Sequence, residues 1–281
     1  MDGKKRHPGR PRTTPATEGA QTLLRGLDVM EAVAAGAADL AALAQALGTT
    51  RTTTHRLASA LVARRYLGFS PGSGYNLGPK LGELGLRFRR ALPLHQAAQP
   101  FLARLAAQTL DTVQLGILDE GTVLYLDKVP GGRPFEIRSA AGDRHPVWST
   151  GLGKALILDL PEAQWEGFVG RGRAGPVPVS GKARLEWLER MRLYAARGVA
   201  FDLGENEPEL FCVAAPIRDA GGEIVAAVSV SSLLPYMQPE RMEALSGEVR
   251  STAAEIGRSL GWHGEDVTET VPDDGKRTGL R

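Results

Sequence analysis

The chain has 281 residues, of which 42% are hydrophobic and 23% charged, so it is long enough to form two domains with their own cores. No apolar run reaches the roughly 18 residues of a membrane span, and the basic, proline-rich N-terminus lacks the apolar core of a signal peptide. A single cysteine excludes an internal disulfide framework and a multi-cysteine zinc site, and together these features predict a soluble, cytoplasmic protein.

The net charge of +2 conceals an asymmetry along the chain. Residues 1–78 carry 10 lysines and arginines against 5 acids, whereas the remainder carries 24 against 27. A basic N-terminal part joined to a mildly acidic remainder favours a nucleic-acid-binding module attached to a second domain, although a modest basic excess is common.

Residues 1–21 are predicted to form a disordered basic arm, because the segment is polar and contains lysines, arginines and prolines. Its sequence Gly9-Arg10-Pro11 resembles the core of an AT-hook, in which an extended arginine-proline segment lies in the narrow minor groove of A·T-rich DNA. Arg10 and Arg12 are therefore candidate DNA contacts. A tail that only improves solubility is the alternative.

The first predicted helix covers residues 22–34. Leu23, Leu27, Met30 and Val33 recur at helical spacing, and we expect them to pack beneath the next two helices.

Residues 39–66 predict two short helices joined by a tight turn. Asp39 is suited to cap the first, and Gly48 can adopt the left-handed conformation that ends it. Thr49 or Thr50 then caps the second helix. Its apolar side is formed by Leu57, Leu61 and Val62. This arrangement is typical of a helix-turn-helix, whose second helix enters the major groove of DNA.

Basic and hydroxyl side chains crowd the N-terminal half of that second helix, and no acid lies between residues 50 and 65. Arginine suits guanine in the major groove, and threonine can donate, accept or contact a methyl group. The candidate DNA-binding residues are Thr50, Arg51, Thr52, Thr53, His55 and Arg56. The alternative is a cationic, solvated face on an ordinary helical hairpin.

A hairpin is predicted directly after this helix. Two strand-like runs, residues 66–69 and 75–77, flank a Ser-Pro-Gly-Ser-Gly turn and would form the wing of a winged helix-turn-helix over residues 22–78. Apolar residues between 81 and 88 then predict a linker helix within residues 79–95, interrupted before Pro93.

From residue 96 the pattern changes to alternating strands and helices. Helices are predicted over residues 96–109, 151–160, 184–197 and 238–260, and strands over residues 112–118, 122–129, 135–138, 198–202, 211–216 and 224–231. The order favours an α+β fold with an antiparallel sheet for a domain spanning residues 96–262. Residues 263–281 are polar and predicted to be a disordered tail.

Three segments carry a resemblance to a known family. They are residues 48–57, the run Ser-Thr-Gly-Leu-Gly-Lys-Ala at 149–155, and Cys-Val-Ala-Ala-Pro-Ile-Arg-Asp at 212–219 followed by Ala-Ala-Val-Ser-Val-Ser at 226–231. With these motifs the chain resembles the IclR family of bacterial transcription regulators over about residues 22–260. The resemblance implies a winged helix, a linker helix, a GAF-like effector domain, and a dimer or dimer of dimers on a palindromic operator.

The resemblance also implies an effector pocket for a small organic acid. The matching residues are Gly151, Leu152, Asp202, Cys212, Ser229 and Ser231. Helix N-terminal amides favour a carboxylate, and residues 229 and 231 face the same side of a strand. We also expect Trp148, Phe135 and Leu152 to line the pocket, which would admit an aromatic or a short aliphatic acid.

Each of these residues has a simpler explanation as well. Cys212 lies in an apolar run where cysteine is often a small core residue, and Ser229 and Ser231 could be ordinary strand residues. The run at 149–155 does not match a phosphate loop, since Trp148 and Ala155 replace the required glycine and hydroxyl residue. The acids between 202 and 209 lack a histidine, so we expect a solvated loop and neither a metal nor a cofactor.

The leading interpretation is an effector-responsive, sequence-specific DNA-binding regulator, located at the nucleoid when bound to double-stranded DNA, and not an enzyme. Repression is our leading expectation, although whether the bound protein represses or activates transcription depends on where the operator lies relative to the promoter. The alternative is an enzyme with Cys212 as nucleophile or the acidic loop as acid and base. His95 and His145 are its only candidate basic partners, because the other histidines lie in the reading helix or the terminal segments.

Overall fold

The computed structural model describes residues 18–91, 93–172, 175–176 and 179–264. The chain divides into two compact units, Met1–Arg89 and Arg90–Arg281. None of the described helices is long and apolar enough to cross a membrane.

The N-terminal unit is a winged helix-turn-helix. Its elements are α1 (Glu18–Ala34), α2 (Leu40–Ala46), α3 (Arg51–Ala63), β1 (Leu67–Ser70) and β2 (Gly74–Leu77). Helix α4 (Pro79–Ala91) follows, and its last two residues belong to the second unit. The predicted caps form. The Asp39 carboxylate accepts hydrogen bonds of 2.8 Å from the amides of Ala41 and Ala42, Gly48 has a φ of +60°, and the Thr50 hydroxyl caps α3.

The wing is fixed to the helices through its second strand. The Tyr75 amide donates to the Ala38 carbonyl at 2.7 Å, and a Cβ on Gly74 would lie 2.1 Å from the same oxygen. Gly74 also has a φ of +76°, so two independent constraints favour glycine at this turn. The strands β1 and β2 pair antiparallel, with Leu67 opposite Leu77.

The expected packing of α1 is wrong at two positions. Val33 is buried and Met30 packs against the core of this unit, but Leu23 and Leu27 are 67% and 42% exposed. Val29, which was not expected in the core, is fully buried instead. The apolar stripe of α1 is therefore wider than the surface that α2 and α3 cover.

The C-terminal unit contains a six-stranded antiparallel sheet with helices packed on it, which makes the fold α+β. The strands run in the order β5-β4-β3-β10-β9-β8. Their bounds are β3 (Thr112–Asp119), β4 (Thr122–Val129), β5 (Arg144–Pro146), β8 (Ala200–Leu203), β9 (Leu210–Arg218) and β10 (Ile224–Leu233), and a small separate hairpin consists of β6 (Arg171–Gly172) and β7 (Gly175–Pro176). The helices are α5 (Pro93–Thr109), α6 (Gly151–Leu156), α7 (Glu162–Trp165), α8 (Gly181–Arg197) and α9 (Pro239–Ser259).

Two helices differ from the predicted boundaries for local reasons. The helix predicted over residues 151–160 ends at Leu156. Pro161 has no amide N–H to donate to the Ile157 carbonyl, which accepts instead from the Leu160 amide at 3.1 Å and from the Trp165 indole N–H at 2.7 Å. The helix predicted from residue 96 starts at Pro93, since proline is tolerated in a first helical turn.

The strand predicted over residues 135–138 does not form. The Ile137 carbonyl there accepts a hydrogen bond from the Lys128 ammonium, and the next strand of the sheet is β5. The strand predicted from residue 198 begins at Ala200, because Gly198 caps α8 with a φ of +63°.

The sheet register positions the candidate effector residues. In β10, Ser229 lies opposite Ala214 of β9 and Gln114 of β3, and Ser231 lies opposite Cys212 and Thr112. The alternating residues Val228 and Val230 are fully buried and point to the other face of the sheet. The two serines and Cys212 therefore share one face, against which α6 packs.

Candidate functional site

The N-terminal half of α3 presents a polar, basic surface. Arg51, Thr52, His55 and Arg56 are exposed, whereas Leu57 and Ala58 are buried beneath them. This orientation matches the predicted one and leaves both guanidinium groups accessible to DNA. Arg10 and Arg12 lie outside the described residues.

Two of the candidate threonines already serve the helix itself. The Thr50 hydroxyl accepts from the Thr53 amide at 3.3 Å and donates to the Thr53 hydroxyl at 3.1 Å. Thr54 is buried, and its hydroxyl donates to the Thr50 carbonyl at 3.0 Å. Thr50 and Thr53 therefore hold the start of α3, and Thr52 is the threonine that is most available for another molecule.

In the C-terminal unit, five of the six candidate effector residues line one buried cavity. They are Leu152, Asp202, Cys212, Ser229 and Ser231. The sixth, Gly151, lies directly beside it, since a Cβ there would be 2.4 Å from the Cys212 sulfur. The structure thus brings together residues from α6, β8, β9 and β10 that are far apart along the chain.

The cavity is nearly closed, with a volume of about 20 Å³, which is room for a single water molecule. Asn206, Glu207 and Leu210 line it from the segment around residues 204–210. The Ser149 hydroxyl donates to the Asn206 side chain at 3.4 Å. An organic effector needs more space, so this state of the pocket must open before one can enter.

The serines of the pocket are engaged by Gln114, a residue that the sequence analysis did not identify. The hydroxyl groups of Ser231 and Ser229 donate to Gln114 Oε1 at 2.9 and 3.3 Å. The Gln114 amide nitrogen donates to the Ser139 hydroxyl at 2.6 Å. A polar residue within the apolar strand sequence of β3 was the only signal for it.

Cys212 is buried beside the start of α6, where a Cβ on Gly151 would lie 2.4 Å from its sulfur. Burial raises the pKa of the Cys212 thiol to about 12, an effect that Asp202 reinforces and Lys154 opposes. The thiol is therefore protonated at neutral pH.

Asp202 is the titratable group of the pocket. Burial raises the pKa of its carboxyl from 3.8 to about 7, and the charge of Glu205 adds to this increase. Lys154 and the backbone amides of Glu205 and Asn206 act in the opposite direction. Near neutral pH, Asp202 can therefore exist both as a carboxylate and as a neutral hydrogen-bond donor.

The other expected lining residues lie elsewhere. Trp148 and Phe135 are not part of the cavity wall, and the Phe135 ring packs against Tyr236 at 5.6 Å between centroids. Tyr125, Ser139 and His145 line the cavity in their place. The pocket wall is therefore more polar than predicted.

The enzyme alternative finds no activated nucleophile among the described residues. His145 does line the cavity together with Cys212, and His95 Nε2 lies 2.9 Å from the Asp127 carboxylate. The raised pKa of Cys212 is nevertheless the opposite of what a thiolate nucleophile requires. Within the described ranges, no group of three or more His, Cys, Asp or Glu side chains is placed to hold a metal ion.

Comparisons with known proteins match both units. The C-terminal domain described as "Bacterial transcriptional regulator IclR C-terminal" matches residues 89–258, and the "IclR helix-turn-helix domain" matches residues 22–71. The HTH-type transcriptional regulator BhcR of Paracoccus denitrificans is 32% identical over 249 residues, which cover 85% of this chain and 86% of BhcR.

Two solved structures have the same fold. A putative transcriptional regulator, RHA06195 from Rhodococcus sp. RHA1, superposes with a TM-score of 0.72 at 27% identity and covers 85% of this chain and 98% of its own. An IclR homolog from Microbacterium hydrocarbonoxydans, solved in complex with 4-hydroxybenzoate, superposes with a TM-score of 0.71 at 22% identity. The match covers 85% of this chain and 98% of the homolog.

Proposed function

Since this chain belongs to the IclR family of bacterial transcription regulators, and is thus a DNA-binding regulator, we propose that a small organic acid in the cavity of the C-terminal unit controls its binding to a palindromic operator. The observation that carries this proposal is the convergence of Leu152, Asp202, Cys212, Ser229 and Ser231 on one cavity. These residues come from four different elements, α6, β8, β9 and β10, and lie far apart along the chain, so the fold brings them together.

The reading surface of this regulator is the exposed side of α3. Bases or phosphates in the major groove would be contacted by Arg51, Thr52, His55 and Arg56. Thr50 and Thr53 instead stabilise the first turn of α3 through their hydrogen bonds to each other. Arg10 and Arg12 would add sequence-tolerant affinity in the minor groove. Deleting residues 2–14 should then weaken binding and lower its salt dependence, and an unchanged salt slope would argue against the arm.

A palindromic operator requires two reading heads, and the N-terminal unit exposes apolar side chains on two of its helices. They are Leu23, Leu24 and Leu27 on α1 and Leu84, Leu86 and Phe88 on α4. Exposed apolar side chains that cluster usually mark association sites. We infer a homodimer, or a dimer of dimers, in which a second copy covers apolar side chains of these helices.

The effector is proposed to be an acid because neutral Asp202, Ser229 and Ser231 can all donate to a carboxylate. The 4-hydroxybenzoate bound by the Microbacterium homolog belongs to this chemical class. Repression is the proposed mode, with the closed pocket accompanying the DNA-bound state. An effector that binds only an opened pocket would shift the protein away from that state.

The test is fluorescence anisotropy with the intergenic DNA upstream of the gene, measured across salt concentrations beside an unrelated duplex of equal length. We expect the promoter fragment to bind at least about a thousandfold more tightly. Equal, steeply salt-dependent binding to both duplexes would contradict an operator in that DNA.

The role of the pocket is tested separately with Ser231→Ala. This variant should bind DNA like the wild type without effector but lose its response to the effector. Ser232→Ala is the matched control, because the Ser232 hydroxyl donates to Asp111 at 2.8 Å and does not line the cavity. A retained response in Ser231→Ala would argue against this pocket as the effector site.

A further inference from the structure

Gln114 occupies the polar centre of the cavity. It lies in the middle of β3, directly opposite Ser229 of β10, and is only 3% exposed. Its side chain therefore points into the face of the sheet that carries the two serines. A buried carboxamide at such a position must find partners for both its oxygen and its nitrogen.

Both ends of this carboxamide are satisfied within the pocket. Its oxygen accepts from Ser229 and Ser231, and its nitrogen donates to the Ser139 hydroxyl. The protons of both serine hydroxyls are thus committed to Gln114. In this state the serines have no proton left to offer an effector.

The size of the cavity also indicates that an effector cannot bind while Gln114 occupies this position. The remaining cavity of about 20 Å³ holds a single water molecule, which is much less than any organic acid requires. Displacing the Gln114 carboxamide would free both volume and the hydrogen-bonding groups of Ser139, Ser229 and Ser231. Moving the strands that form part of the wall would cost hydrogen bonds of the sheet.

We propose that the Gln114 carboxamide takes the place of the effector in the ligand-free protein, and that the effector is a hydroxycarboxylic acid which displaces it. A carboxylate oxygen would replace Gln114 Oε1 as the acceptor for Ser229 and Ser231. A hydroxyl group would replace the amide as the donor to Ser139. This inference rests on the proposed effector function and specifies its ligand class.

Displacing Gln114 would also affect a segment outside the pocket, through Ser139. Ser139 belongs to the segment between β4 and β5, where the Ala140 amide donates to the Asp143 carboxylate at 2.7 Å. Its link to Gln114 joins this segment to the centre of the sheet. When Gln114 leaves, the segment is held by the effector hydroxyl, so only a hydroxylated acid restores the link.

The experiment uses two pairs of acids that differ by one hydroxyl group next to the carboxylate, glycolate with acetate and lactate with propionate, because the two ends of a carboxamide are close together. Binding to the full-length protein is measured by isothermal titration calorimetry. We expect the wild type to prefer a hydroxylated acid over its partner by more than about tenfold, because the deoxy acid leaves Ser139 unpaired. Ser139→Ala should reduce this preference to less than about twofold.

Two further variants separate hydrogen bonding from space. Gln114→Met keeps a similar volume but frees the serines, and we expect it to bind both members of a pair about tenfold more tightly. Gln114→Ala also opens the cavity and should bind them at least as tightly. Unchanged affinities in both variants, or a full hydroxyl preference in Ser139→Ala, would overturn the inference.

Hydrogen exchange of the ligand-free protein supplies a readout that needs no acid. Amides of residues 133–143 should exchange about tenfold faster in Gln114→Met and in Ser139→Ala than in the wild type, and unchanged exchange in both would overturn the link. If none of the four acids binds any protein, the ligand class is wrong. Specific promoter binding by the same preparations would then show that the regulator function stands without it.

Discussion

The Lys154 ammonium is fully buried against the carboxylate of Glu205. Lys154 belongs to α6 and also donates to the Phe201 carbonyl at 2.8 Å. The second oxygen of Glu205 accepts from Arg190 of α8 at 2.9 Å. The ion pair therefore ties the segment that covers the cavity to two helices, and it places a compensated positive charge beneath the pocket.

Removing one partner of this ion pair should strongly destabilise the C-terminal unit. Glu205→Ala leaves Lys154 buried without its carboxylate, and we expect a loss of roughly 3 kcal/mol in the free energy of unfolding. Urea unfolding followed by tryptophan fluorescence measures it, since all four tryptophans lie in residues 148–262. The matched control is Glu209→Ala, an exposed acid of the same segment, which should change stability by less than about 0.5 kcal/mol. Equal effects of the two substitutions would contradict the buried pair.

Gly151→Ala tests the close approach of α6 to Cys212. The added Cβ would lie 2.4 Å from the sulfur, and we expect a loss of about 1 to 3 kcal/mol from overpacking. In a Cys212→Ala background the same substitution should be close to neutral, because the other atoms near the added Cβ lie at 3.5 Å, which is an ordinary contact distance. Thermal and urea unfolding of the four proteins in this double-mutant cycle give the coupling energy. An additive cycle would mean that the sulfur is not the obstacle.

Asp202 should make the stability of the C-terminal unit depend on pH. Its pKa is raised from 3.8 to about 7 in the folded protein, so the folded state binds this proton more tightly than the unfolded chain. The resulting stability is fully present below about pH 4 and is lost as the pH rises to about 7. Relative to the wild type, Asp202→Asn should therefore gain roughly 2 to 4 kcal/mol between pH 4 and pH 8. A difference in unfolding free energy that does not vary with pH would contradict the raised pKa.

The capped helix-turn-helix was predictable because its signals are local. Asp39, Gly48 and Thr50 act on residues within four positions of themselves, and the structure confirms each of these roles. Gln114 was not predictable in this way, since its partners Ser139 and Ser231 lie 25 and 117 positions away.

Periodicity has a similar limit. It identified α1 and its apolar residues, but it could not tell which neighbour covers them, so Leu23 and Leu27 were wrongly assigned to the core. The same limit explains why Trp148 and Phe135 were wrongly expected to line the cavity. An aromatic residue near a motif indicates apolar surroundings, but which cavity it lines depends on the path of the intervening chain. The DNA-binding and effector-binding roles of the candidate residues remain predictions.

Arg56 is the residue with which the reading surface can be tested most directly. Its side chain is exposed on α3, one turn after Thr52, and we expect it to contact a base. Arg56→Ala should then weaken operator binding by about 1 to 3 kcal/mol and relax the preference for one base pair. Fluorescence anisotropy with the operator and with single-base variants of it measures both effects.

Arg56→Lys is the matched variant, because lysine keeps the positive charge but lacks the planar fork that binds guanine in a bidentate manner. A base contact predicts that the lysine variant retains the salt slope of the wild type and loses discrimination at the same base pair as the alanine variant. A phosphate contact predicts instead that lysine restores binding, and that alanine weakens binding to all sequences equally and lowers the salt slope by about 1. Wild-type affinity and discrimination in Arg56→Ala would remove this residue from the interface, leaving Arg51, Thr52 and His55 to read the operator.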